Sequence, residues 1–168
     1  MRMKVSVGWR CSACGELITR IEDGWVEWLA GEDVDGVTAL KGLRLVHRLG
    51  TGPGTKSKSY ACQYDSLREF RTDRSIVEGL SLERFMGPDG LMLLLSLIAC
   101  REMPEEDIME LAKRVQIPGY EQARDLFPEA IAEGVVEPSI GKGYYLQGEI
   151  QTLLRWAMTE GASPNEAA

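Results

Sequence analysis

Cys11-Ser12-Ala13-Cys14-Gly15 decides how the first third of this chain is read. Two cysteines separated by two residues and followed by glycine form a tight turn. Their thiolates grip one face of a tetrahedral metal ion, and the turn's amides are free to hydrogen-bond the sulfurs. Two further donors complete a set. His47, the single histidine of the chain, ends an apolar run at residues 43–46 that reads as a strand. Cys62 follows a Gly-, Ser- and Thr-rich loop at residues 50–59 and a short segment, 59–61, placed to return beside that strand. Three thiolates and one imidazole fill a structural Zn²⁺ site and leave no open position for chemistry. Cys100 is an alternative to Cys62, but it closes an apolar helical run and is expected to be a buried, inert thiol.

The surrounding sequence supports a small β-rich unit. Residues 4–9 alternate, as do 25–29 around Glu27, and residues 37–40 and 43–47 are similar. Glycines at 24, 31, 36 and 42 punctuate them. Few large apolar residues are available here, so a metal is needed as a staple. Trp25 and Trp28, three apart on a strand, point to opposite faces, one inward and one free for contact. The Cys11–Gly15 turn resembles the knuckle of zinc ribbons and related zinc fingers. A second Cys-x-x-Cys is absent, and the long His47–Cys62 interval departs from the ribbon pattern.

Beyond Cys62 the period becomes helical. Short helices are expected at residues 66–70 and 81–86. A buried central helix is expected over 91–100, where the apolar residues lie nearly all round. Pro104 and three acids start a helix with Ile108, Leu111, Ala112 and Val115 on one face. Pro118-Gly119 starts the next, with Tyr120, Ala123, Phe127, Ala130 and Ile131 inward; Pro128 predicts a kink or two abutting short helices. Val135-Val136 and Tyr144-Tyr145-Leu146 flank Gly141-Lys142-Gly143 as a hairpin. A last helix spans 149–158 with Ile150, Leu153, Leu154 and Ala157 inward, and residues 159–168 form a tail.

This order of helices followed by a hairpin, over residues 90–146, resembles a winged helix-turn-helix. The resemblance implies DNA binding by the third helix, residues 120–133. That stretch carries Glu121, Asp125, Glu129 and Glu133 against Arg124 alone, with Gln122 as a further base-reading candidate. A winged-helix-like module used for protein contact, or simply a helical core with no recognition role, is therefore expected rather than a DNA reader.

The expected fold class is α+β: a β-rich zinc-binding module over residues 1–62, a mostly helical winged-helix-like module over 63–158 and a tail. Up to Ala61, nine Lys and Arg face seven Asp and Glu; beyond it, ten face nineteen. The acidic part repels phosphate backbones. Nucleic acid, if bound, would meet Arg44, Arg48, Lys56 and Lys58, a set more often an ordinary solvated face. No apolar run approaches the roughly 20 residues of a membrane span, and no signal core opens the chain, so the cytoplasm is expected, where thiols stay reduced. The chain lacks a Gly-rich phosphate loop, Gly-x-Ser-x-Gly, His-Glu-x-x-His and a second histidine to act as base. The expectation is a non-enzymatic, zinc-stabilised adaptor or regulator that binds another protein. A nucleic-acid-binding regulator is the alternative, and a zinc enzyme with Glu16 or Glu27 as acid or base is a distant third.

Overall fold

The computed structural model describes residues 7–33, 35–53 and 62–160. It is a mixed α+β fold whose described residues fall into two compact units, one spanning Gly8–Gln116 and one built on the chain from Ile117 onward.

The first unit starts with a two-stranded ribbon, β1 (Trp9–Arg10) against β2 (Leu17–Ile18). A three-stranded antiparallel sheet follows, in the order β4 (Thr38–His47), β3 (Gly24–Glu32), β5 (Ile76–Ser81). The two short runs expected at 37–40 and 43–47 are one strand, interrupted by a bulge where the register shifts opposite Trp28. β5 is the strand that the helical reading beyond Cys62 overlooked. Its alternation is weak, and Gly79 sits where a Cβ would meet Trp25 Nε1 at 2.5 Å. The indole of β3 requires the glycine, so a close packing contact cost the strand its sequence signal.

Helix α1 (Ser66–Asp73) is capped by Asp65, whose carboxylate accepts from the Leu67 and Arg68 amides. The expected helix at 81–86 is a single 3₁₀ turn, Leu82–Phe85. Helices α2 (Gly87–Cys100) and α3 (Glu105–Gln116) complete the unit. Ile108, Leu111 and Val115 of α3 join Ile18, Val26, Leu45, Phe85 and Leu94 in one core, as the 3.6-residue spacing predicts. Helix α2 is not the buried rod its composition suggested: only Gly90 and Leu94 are buried, while Met92 is 66% and Leu95 50% exposed. Its one inward stripe meets the Leu82–Phe85 turn and α3, and a single helix in a unit this small cannot be covered all round.

In the second unit α4 (Tyr120–Ala123) and α5 (Phe127–Ala132) are two abutting helices broken near Pro128, and α6 (Gln147–Glu160) packs Ile150, Leu153 and Ala157 inward. No hairpin forms between residues 135 and 146. Tyr145 instead stacks on Phe127 with ring centroids 3.4 Å apart, and the Glu149 carboxylate takes the Ser139 and Leu146 amides. Those amides serve the start of α6 rather than a strand ladder. The hairpin that carried the winged-helix resemblance is thus absent among the described residues, and the one helix expected over 120–133 is two short ones, α4 and α5. Residues 4–6, 54–61 and 161–168, over which strand, loop and tail were expected, lie outside the described residues. No helix among those described is long and apolar enough to cross a membrane.

Candidate metal centre

Cys11 and Cys14 sit on the turn that joins β1 to β2. The Cys11 amide donates to the Glu16 carbonyl at 2.9 Å and the Gly15 amide to the Cys11 carbonyl at 3.0 Å. Gly15 adopts φ +78°, the left-handed conformation that closes such a turn. The Ser12 amide donates to the Leu45 carbonyl at 2.8 Å, which pins the turn to β4. His47 ends that same strand, so sheet and turn deliver three donors to one place. Cys62 supplies the fourth. Gly52 makes room for it: a Cβ there would lie 3.1 Å from both Cys62 Sγ and His47 Cβ.

The ligand atoms of Cys11, Cys14, His47 and Cys62 all lie within 4.8 Å of one another, close enough to bind a metal ion. His47 Nδ1 is 3.5 Å from Cys14 Sγ and 3.6 Å from Cys62 Sγ. Metal–ligand bonds of 2.0–2.3 Å at tetrahedral angles place S and N about 3.5 Å apart. The other ring nitrogen, Nε2, lies 3.3 Å from the Leu17 carbonyl oxygen. A carbonyl only accepts, so Nε2 carries the proton and Nδ1 offers its lone pair to the cluster.

The thiols differ electrostatically. Burial drives the Cys62 thiol up to about 12, reinforced by its neighbouring cysteines, and raises Cys14 as well. Burial also opposes ionisation of Cys11. There the amides of Cys14, Ala13 and His47 outweigh it, and the thiol is held at about 7. Three thiolates packed this closely repel one another, and a cation among them removes that repulsion.

Cys100 is exposed at the end of α2 and lies outside the cluster, so it is not the buried thiol its apolar run suggested. Neither Trp25 nor Trp28 is exposed. Trp25 is half-buried, with the Arg48 guanidinium 6.0 Å from its ring centroid, and Trp28 is buried and donates from Nε1 to Glu78 at 3.0 Å. Arg44 is ion-paired to buried Glu27 at 2.7 Å and lies over the Tyr64 ring at 3.5 Å. Lys56 and Lys58 fall outside the described residues. The part that sequence reasoning missed is the set around Cys62: Glu27, Arg44 and Tyr64. Its one sequence signal was a carboxylate at the centre of an otherwise apolar strand.

No family model matches the sequence, no curated protein is similar to it, and no solved structure matches its fold.

Proposed function

We propose that this chain is a non-enzymatic adaptor or regulatory protein whose first unit is held together by one structural Zn²⁺, bound by Cys11, Cys14, His47 and Cys62. The observation that carries the reading is the donor set. Three sulfurs and one imidazole nitrogen, all within 4.8 Å, complete a tetrahedron and suit zinc over harder cations. A site with four protein ligands stabilises a fold and has no position left for substrate or activated water. Action through protein contact is supported by helix α2, which exposes Leu91, Met92 and Leu95 in a stretch without charge from Gly90 to Cys100. A solvent-facing apolar stripe of this kind marks contact surfaces.

The nucleic-acid alternative draws on Arg44, Arg48, Lys56 and Lys58. Arg44 is committed to Glu27, which leaves that reading the weaker one.

Elemental analysis of protein purified without added metal tests the site, with about one equivalent of zinc expected. Substituting Co²⁺ then separates structural from catalytic metal. A closed site keeps its visible spectrum unchanged when azide or cyanide is added. A spectrum that shifts with the anion would reveal an open position and favour the enzyme reading.

A further inference from the structure

Cys11 and Cys14 lie on the turn between the paired strands β1 and β2 and His47 ends β4, whereas Cys62 belongs neither to that ribbon's turn nor to a helix or strand. No strand ladder sets its position. Two side chains of the sheet reach it instead. Arg44 on β4 donates from Nη2 to the Cys62 carbonyl at 3.1 Å. The same guanidinium is held by Glu27 on β3, with Nε 2.8 Å and Nη2 2.7 Å from Oε1. That oxygen also accepts from the Tyr64 amide at 3.0 Å. Glu27 and Arg44 are direct cross-strand partners, so the β3–β4 ladder sets the geometry of the pair.

The distribution of bonds on Glu27 is uneven. Its side chain is fully buried, and Oε1 takes two hydrogen bonds and a further ion-pair contact from Arg44 Nη2, while Oε2 has no partner among the described residues. Stability alone does not favour this arrangement, because apolar residues in place of a buried ion pair often stabilise a fold, and an unpaired buried oxygen is costly. What an apolar pair cannot do is hold a carbonyl at residue 62 and an amide at residue 64 at fixed points.

We propose that Glu27 and Arg44 are positioning residues for the fourth metal ligand: together they clamp residues 62–64 to the sheet and so aim Cys62 Sγ at the ion. The clamp rests on the zinc-site reading above and adds to it the part of the protein that keeps the tetrahedron closed. Groups that hold a metal's ligands in place, without touching the ion, commonly cost roughly 10–100-fold in metal affinity when they are mutated.

The test uses the full chain loaded with Zn²⁺ or Co²⁺, as wild type, Arg44→Met, Arg44→Lys, Glu27→Gln and, as a control on the same strand as Arg44, Lys41→Met, which breaks an exposed ion pair with Asp73 of α1. Zinc affinity is read by competition with a chromophoric chelator, and thiolate ligation by the sulfur-to-cobalt charge-transfer absorption. Thermal unfolding of each variant reports on the fold. Arg44→Met is expected to lower zinc affinity roughly 10–100-fold and to remove one thiolate's share of the charge-transfer band. Arg44→Lys, which keeps a donor but loses the fork, and Glu27→Gln should fall between it and wild type. Lys41→Met should match wild type. If Arg44→Met does not fold, Arg44→Lys and Glu27→Gln decide. Folded variants that bind zinc with wild-type affinity and keep the full band overturn the clamp. Wild-type protein that binds no metal overturns the zinc site itself, a separate result.

Discussion

The carbonyl oxygen of Leu17 lies 3.3 Å from Nε2 of His47. Leu17 is on the second strand of the knuckle ribbon and His47 is the last residue of β4, so one hydrogen bond joins the two halves of the candidate metal centre and selects the tautomer of its imidazole. In zinc-loaded protein, ¹⁵N NMR should find Nε2 protonated and Nδ1 coordinated. The reverse assignment would mean that the ring is flipped and that the Leu17 contact is not made.

Cys11→Ser should loosen the whole of Gly8–Gln116, because Cys11 belongs to the same core as Leu94, Ile108 and Leu111. Structural zinc contributes directly to folding of its own unit. Helices α4–α6 have a separate core around Phe127, Ile150 and Leu153 and should survive. Hydrogen exchange measured residue by residue checks this: protection should fall across β3, β4, α2 and α3 and persist in α6. Retained protection in α2 and α3 would show that those helices do not depend on the metal.

Gly52→Ala should weaken metal binding without touching a ligand. The added methyl would stand 3.1 Å from Cys62 Sγ and 3.1 Å from His47 Cβ, and both must give by a few tenths of an ångström. Competition titration should show reduced zinc affinity. An unchanged affinity would mean that the loop moves instead of the ligands.

Tyr145 and Phe127 stack at 3.4 Å with an interplanar angle of 6°. A double-mutant cycle with Tyr145→Leu and Phe127→Leu should return a coupling of about 0.5–1.5 kcal/mol, the usual worth of an aromatic pair beyond its buried area. A coupling near zero would say that the two rings contribute only as separate apolar bodies.

Asp73 makes one pH-dependent contribution to stability. Hydrogen bonds from Lys41 and from Ser75 hold its carboxyl at about 2, below the ordinary 3.8. A depressed carboxylate stabilises the fold above its unfolded pKa, and that contribution is lost as pH falls from about 4 toward 2. A ¹³C titration of Asp73 should show the low midpoint, and Lys41→Met should move it upward. A midpoint that ignores the substitution would leave the Ser75 contacts as the whole cause.

The sequence by itself determined the metal-ligand candidates and most of the helices. Cys11, Cys14, His47 and Cys62 stood out because sulfur and imidazole donors are few in this chain and their chemistry is narrow. The spacing Ile108, Leu111, Val115 placed a helix face in a core, and Pro128 divided α4 from α5, because both signals are local. Other features were decided only by tertiary structure. Gly79 is a poor strand residue until the Trp25 indole is packed over it, so β5 was hidden. Tyr144-Tyr145-Leu146 has the composition of a strand, yet the Phe127 ring holds Tyr145 and the Glu149 carboxylate takes the Leu146 amide, so the segment leads into α6 without pairing. Leu91, Met92 and Leu95 are as apolar as Leu94, but the Leu82–Phe85 turn and α3 offer only one side for α2 to bury. Glu27 looked like a lone charge on a strand; its partner Arg44 lies 17 residues on and becomes a neighbour only through the β3–β4 register. In each case the deciding partner is distant in the chain, and local periodicity carries no information about it.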